Sequence, residues 1–445
     1  MSLAGFLAAA ALAQSPVTLD QAREQARANT QALVAAANRE SADAAVMAAR
    51  APLLPQVTAT AGAGAQYAGP QTFVQAVPSV DPSSGETTWS QVAIDVQPSS
   101  RTSFNASVQV QQVLYDASRW AAFAQAGAQA EAARGQEAED RGAAELEGIR
   151  RFYELLKAQR TQLLLQERVK SSEELLERAK ALFVAGRMKK EEEISAAVNL
   201  GTDRMALLRQ DAAVSAAQAN LAAWLARPAT DQLVAQDPGT LSGEARLALS
   251  YDQALEQARG HRPQLQAYLA LVKAARSGVD SSSAGYLPSF AAYGRYDRSG
   301  ADTSPFFTDP TRQNAVSAGV SITWNAFSGF GTEAQVAQAR AALRKAELTY
   351  AQAERDVGAE LRRGLADLDA LSKVAALSKS NADLARDGLT LATSRFQAGD
   401  TSTLQVRDAQ VKLTQAEVSL LESRVDVEIA RAALERSMGT LGAAP

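Results

Sequence analysis

The chain has no cysteine and only one histidine in 445 residues. The first absence excludes disulfides, iron–sulfur clusters, thiolate catalysis and cysteine lipidation. The second leaves a His-based metal centre or a Ser-His-Asp triad almost nothing to draw on, and His261 reads as an ordinary helix or loop residue. No phosphate-cradling loop or metal constellation replaces them, so the chain does not read as an enzyme and calls for no cofactor. Aromatic residues are scarce, at 6% against 46% hydrophobic residues overall, and much of the hydrophobic share is alanine. Alanine with abundant Gln, Glu, Arg and Leu favours long helices over a compact mixed core. A net charge of −4 without a basic stripe gives no electrostatic reason to expect nucleic acid.

Long apolar runs are missing too. Ser2–Ala13 is apolar and ends in Ala11-Leu12-Ala13, like the core and small-residue cleavage site of a secretory signal. It lacks a positively charged leader, so residues 1–13 read as a truncated or atypical signal peptide. Beyond them no run approaches the ~20 apolar residues of a spanning helix. Any passage through a membrane falls to strands.

Proline is absent from Ala117 to Phe183 and again from Gly331 to Phe396. Each stretch reads as one helix, and at ~1.5 Å per residue either would be ~100 Å long. Each runs into Phe-x-Ala-Gly, at Phe183–Gly186 (FVAGR) and Phe396–Gly399 (in SRFQAGDTSTLQVRD), and a second long helical pattern follows. Glycine adopts the left-handed backbone that ends a helix without strain, so both sites read as tips of helical hairpins. The tips lie 213 positions apart (399 − 186). After the first, Leu200, Leu207, Val214 and Leu221 form a heptad stripe, with Val198, Met205, Ala212 and Ala219 beside it. After the second, Leu413, Leu420, Val427 and Leu434 repeat that stripe, with Val411, Val418 and Val425 beside it. Paired seven-residue stripes mean coiled-coil-like packing.

The rest of the chain repeats as well. Tyr251–Arg259 echoes Leu19–Arg27, and Tyr286-Leu-Pro-Ser-Phe290 echoes Leu53-Leu-Pro-Gln-Val57. A helix is expected from Leu19 to Arg50, a strand at Gln56–Tyr67, and a long connecting loop with four prolines at Gly69–Ser100. Phe104–Gln111 and Val316–Trp324 alternate apolar and small polar residues, the period of a two-faced strand, and Phe290–Arg298 is a weaker strand. The expected organisation is a first repeat at 14–227, a joining segment at 228–250, a second repeat at 251–439 and a tail at 440–445. Four strands of ~10 residues cannot close a barrel alone, and an open edge is not tolerated in lipid, so the strands should close by oligomerising.

The duplicated order of elements, the Leu-Pro strand starts, the Leu114-Tyr-Asp and Ala326-Phe-Ser-Gly junctions and the Phe-x-Ala-Gly tips together resemble the TolC-like outer-membrane efflux proteins. The resemblance implies a mainly α fold with a small β part: a homotrimer whose helical hairpins form an α-barrel and whose four strands per chain complete a twelve-stranded transmembrane β-barrel. It implies an outer-membrane exit channel of a Gram-negative bacterium, set in lipid with most of its mass in the periplasm. Its partners would be a periplasmic adaptor and an inner-membrane pump of RND, ABC or MFS type. The belt would come from the segment near 228–250 and the C-terminus.

The tip residues Phe183, Gly186, Arg187, Phe396, Gly399 and Asp400 would dock the adaptor, although both phenylalanines could equally be packing staples. Matching the family's closing residues from each Gly gives Glu192 in the first half and Thr401, Gln405 and Asp408 in the second. Of these, Thr401 stands where the family has Arg and Gln405 where it has a carboxylate. Asp408 has a physical case of its own, since three symmetry-related carboxylates around a narrow axis would attract cations. The plainer reading of Asp408, and of the Lys189–Glu193 run, is a solvated helix surface. A soluble periplasmic coiled-coil scaffold is the alternative to the channel, and the four alternating segments speak against it.

Overall fold

A computed structural model describes residues 15–239, 241, 249–300, 314–398 and 400–442. The apolar start therefore lies outside the described residues. In the first half, β1 (Ser15–Val17), α1 (Leu19–Arg27) and α2 (Thr30–Arg50) lead into β2 (Gln56–Ala68), β3 (Gln71–Val80), β4 (Thr87–Val96) and β5 (Ser99–Tyr115). The hairpin of α3 (Ala117–Val184) and α4 (Lys190–Trp224) follows, and β6 (Leu233–Ala235) lies in the joining segment. The second half is α5 (Tyr251–His261), α6 (Pro263–Ser283), β7 (Ser289–Gly300), β8 (Asn314–Thr323), α7 (Gly331–Ala398) and α8 (Thr403–Met438). Helices α3 and α7 each have 68 residues, so the duplication extends to element length.

Two expectations are corrected. The helix expected over Leu19–Arg50 is broken at Ala28-Asn29, because the Asn29 Oδ1 accepts from the Ala32 N–H at 2.9 Å and starts a new helix. The region expected to be a proline-rich loop forms the β3–β4 hairpin, paired over all ten positions. Its prolines flank the strands except for Pro78, and Val, Thr, Phe, Trp and Ile between them favour the extended chain. The joining segment also contributes β6, which pairs in parallel with β1.

The chain divides into two units. The first, Met1–Ala44, Gly127–Ala274 and Arg344–Pro445, is largely helical and holds two related cores. In one, Ala22 and Ala26 of α1 pack with Phe152, Tyr153, Leu156, Leu221 and Leu233; in the other, Ala254 and Ala258 of α5 pack with Leu265, Val357, Leu361 and Leu434. Matching capping boxes start the two short helices, Thr18 with Gln21 and Ser250 with Gln253, so the echo seen in sequence is an echo of local chemistry. Each fully buried large side chain contributes about 1.5–3 kcal/mol of transfer free energy. The α8 helix serves both cores, Val425 facing the first and Val427 the second.

The heptad stripes divide by exposure. Leu200, Val214 and Leu221 are buried within the chain, whereas Val198 and Met205 beside them face outward at 63% and 53% exposure. A second outward stripe, Leu377, Leu384 and Leu391, runs along α7 at the same seven-residue spacing.

The second unit, Ala45–Ala126 and Ala275–Leu343, holds the four-stranded antiparallel sheet β2-β5-β7-β8 and the separate β3–β4 pair. Pairing Val57 with Val110, Val108 with Tyr296, Tyr296 with Val316 and Ala292 with Val320 gathers one apolar face. The opposite face carries Thr60 paired with Ser107, Gln109 with Arg295 and Ser107 with Asp297. Strands β2 and β8 are open edges of this sheet.

Close helix contact supplies a test. A Cβ on Gly148 of α3 would lie 2.5 Å from the Ala26 Cβ, whereas one on Gly142 would meet nothing within 4 Å. Gly148→Val should destabilise the fold by about 1–3 kcal/mol through overpacking. Gly142→Ala should leave stability unchanged or raise it by up to ~1 kcal/mol. Thermal loss of helical circular dichroism measures both, and equal midpoints for the two variants would refute the α1–α3 contact.

Candidate functional site at the helical tips

The two tips share one closing backbone bond. Helix α3 ends as Gly186 takes φ +70°. The Gly186 N–H donates to the Phe183 carbonyl and the Arg187 N–H to the Leu182 carbonyl, each at 2.9 Å. This pair of bonds is the Schellman closure, which needs a left-handed residue where Gly186 stands. At the second tip the Asp400 N–H donates to the Arg395 carbonyl at 2.9 Å, the same five-residue span as Arg187 to Leu182. Gly399, expected as the left-handed residue there, lies outside the described residues.

Of the expected docking residues, Gly186, Arg187 and Asp400 are exposed and Phe396 is partly buried. Phe183 carries the Lys190 ammonium 4.9 Å above its ring, a cation–π contact across the turn. That contact fits the staple reading of Phe183 while leaving it 37% exposed.

The four expected closing residues are not gathered into one network. Glu192 reaches across to the second hairpin, where the Thr403 hydroxyl donates to its Oε2 at 3.1 Å. Thr401 donates to Gln405 within its own turn. Asp408 pairs with Lys412 one turn along α8 at 2.6 Å, and both side chains are well exposed. An exposed pair of this kind contributes about 0.2–1 kcal/mol.

The strongest polar contact near the tips lies one layer further in, at residues the sequence reading passed over. Asp203 of α4 is fully buried and accepts bonds from both sides. Arg407 of α8 donates to it through both guanidinium nitrogens, one at 2.7 Å to Oδ1. Arg168 of α3 lies 2.5 Å from the same Oδ1, and the Ser172 hydroxyl donates to Oδ2 at 2.5 Å. A turn along α8, the Gln410 amide donates to the Ser171 hydroxyl at 2.7 Å. One carboxylate thus ties three helices of two hairpins together.

Burial alone would raise the Asp203 carboxyl pKa. The hydrogen bonds from Arg407 and Ser172 and the charges of Arg407 and Arg168 outweigh it and hold it below the ordinary 3.8. Because the folded value is the lower one, the stabilisation is complete above pH 3.8 and is lost as the pH falls below it.

A signal for this clamp was present in the stripe itself, since Asp203 lies three residues after Leu200 and four before Leu207, on the buried side of the helix. The repeat concealed it, because Ala416 and Ile194 stand 213 positions from Asp203 and Arg407.

Asp203→Ala leaves the buried Arg407 guanidinium and the partly buried Arg168 one without their carboxylate and should cost about 3–5 kcal/mol. Asp408→Ala should cost about 1 kcal/mol or less. Unfolding midpoints at neutral pH separate the two, and wild type should lose part of its advantage over Asp203→Ala below pH 3.8. Equal midpoints for both variants at neutral pH would remove the clamp from the account.

Among the described residues no helix is long and apolar enough to cross a membrane, and no group of His, Asp or Glu is arranged to hold a metal ion. Comparison with solved structures shows the same fold in a membrane protein from Pseudomonas aeruginosa, at 20% identity and a TM-score of 0.75, covering 95% of this chain and 93% of that one. The outer membrane protein VceC of Vibrio cholerae is similar at 17% identity and a TM-score of 0.72, with 95% and 96% covered. The open state of the Neisseria gonorrhoeae MtrE outer membrane channel matches at 17% identity and a TM-score of 0.74, with 95% and 89% covered. Curated protein sequences return no significant match. The sequence model of the outer membrane efflux protein family matches residues 22–227 and 254–440, most of both repeats. The chain belongs to the outer membrane efflux protein family.

Proposed function

We propose that the protein is the outer-membrane exit channel of a tripartite efflux or secretion system. It passes cargo from an inner-membrane pump through the periplasm to the exterior and does not transform it. The observation that carries this reading is the two-faced sheet. Val57, Val108, Val110, Tyr296, Val316 and Val320 share one face, and Thr60, Ser107, Gln109, Arg295 and Asp297 share the other. An apolar outer face and a polar inner one are what a barrel wall between lipid and a water-filled lumen requires. A soluble scaffold would leave the apolar face and both open edges in water.

Three copies of four strands make the twelve-stranded barrel expected of the family. The same assembly supplies partners for the outward stripes of α4 and α7, which are unpaired in one chain. The exposed tip residues Gly186, Arg187 and Asp400, with Phe183, Phe396 and Gly399, form the docking surface for a periplasmic adaptor, which in turn engages a pump of RND, ABC or MFS type. Asp408, exposed beyond the second tip, supplies a carboxylate from each copy to the periplasmic end of the lumen, with Glu192, Thr401 and Gln405 nearby in sequence register.

Planar-bilayer recordings test the reading. Purified protein should give discrete, cation-preferring openings that multivalent cations block from the periplasmic side. Asp408→Ala should weaken that block severalfold without abolishing openings. Unchanged block would remove Asp408 from the gate, and an absence of openings in wild type would overturn the channel.

A further inference from the structure

The segment between β2 and β5 has a composition unlike the rest of the sheet. Residues 69–98 contain no lysine or arginine, and their only charges are Asp81, Glu86 and Asp95. The β3–β4 ribbon they form carries large apolar side chains on both faces, interleaved with Gln, Ser and Thr. In register, Phe73 pairs with Ile94 and Gln75 with Val92 on one face; Val74 pairs with Ala93 and Pro78 with Trp89 on the other. Every residue of both strands is exposed in the single chain, Trp89 at 69% and Phe73 at 54%. The turn is well defined: Gly85 takes φ +69° and donates to the Asp81 carbonyl, whose side chain caps the Ser83 N–H at 2.8 Å.

An isolated two-stranded ribbon is marginal in water, and one that exposes Phe73 and Ile94 on one face and Val74 and Trp89 on the other gains from cover. Its position limits what can cover it. Strands β2 and β5 run 13 and 17 residues from the helix junctions before the ribbon begins. A transmembrane strand needs only ~9–11 residues, so the hydrocarbon layer is crossed before Gly69. Lipid tails are then out of reach, and the lack of any cationic side chain gives an anionic lipid headgroup nothing to bind. What remains within reach is the same ribbon on the neighbouring copies. It continues directly from β2, the open sheet edge through which a copy would join the next. Strand β4 adds ten residues of edge with no proline and no lysine, features that elsewhere keep edges apart.

We propose that the β3–β4 ribbons of the three copies pack on one another at the outer mouth of the channel, their exposed aromatic and aliphatic side chains forming a collar around the exit. The proposal rests on the trimeric channel reading and adds a contact that the barrel itself does not require.

The absence of native cysteine makes the test direct. Ile94→Cys and Trp89→Cys place one thiol on each face of the ribbon, and Glu40→Cys on α2 serves as control. A short bis-maleimide applied to the protein in liposomes should join copies covalently through the ribbon positions and not through position 40. A nitroxide at position 94 should be shielded both from oxygen dissolved in lipid and from an aqueous nickel complex. Strong oxygen access would place the ribbon in the bilayer, and strong nickel access would leave it free in water. Either result, or no cross-linking at both ribbon positions, overturns the proposal. Light scattering of the same samples keeps the two claims apart. Three copies with an accessible ribbon refutes the collar alone, whereas a monomer refutes the assembly on which it rests.

Discussion

A backbone N–H or C=O in hydrocarbon has no water to bond, and each one left unpaired costs several kcal/mol. That constraint governs how this chain is used. Its sheet presents an apolar face across four strands and ends in two open edges, β2 and β8. In lipid those edges can be satisfied only by another sheet edge, and a single chain has no further strand of matching length in that sheet to supply one. The outward stripes Val198–Met205 and Leu377–Leu391 impose a second requirement of the same kind on the helical part. Two unrelated deficits, unpaired backbone in the sheet and uncovered apolar side chains on the helices, would both be met by the proposed assembly of identical copies.

Within the chain, the polar contacts sort by burial rather than by number of charges. The tip surface is rich in ions that do little individually, because water screens them. Asp203 differs: it is out of water, and its partners come from two other helices, α3 and α8. A second, partly buried cluster, where Arg262 at the C-terminal end of α5 donates to Glu360 at 2.7 Å and Arg436 to Glu139 at 2.6 Å, ties the end of α5 to α7 and α8 to α3 near the cores. Buried ion pairs are a poor source of net stability compared with apolar packing, and their removal by halves is costly. Their use here is positional. They fix which helix faces which in a bundle whose alanine-rich surfaces would otherwise tolerate sliding.

Much of the architecture was legible because it depends on periodicity that recurs. The alternation at Val316–Ile322 and Phe104–Val110, the heptads from Leu200 and Leu413, and the glycine at position 186 each express a local physical rule. The same regularity misled where the chain departs from it. Asn29 interrupts an alanine-rich run that reads as continuous, because one side-chain bond is enough to end a helix. The prolines of residues 69–98 suggest a loop, yet they sit mainly at strand ends, and the β-branched residues between them set the conformation. The three-residue strands β1 and β6 are too short to carry a period at all. Asp203 and Arg407 were passed over because neither has a counterpart in the other repeat. The candidate site was therefore readable as a backbone shape, while its strongest side-chain contact was not.

Four strands cannot complete a barrel in one chain, and three copies would supply the twelve. Native mass spectrometry of the detergent-solubilised protein tests this most directly, since it counts chains without reference to cargo or partners. A single species of three chains that retains its β-sheet signal is expected. A stable monomer with the same sheet content and the same pore activity would contradict it.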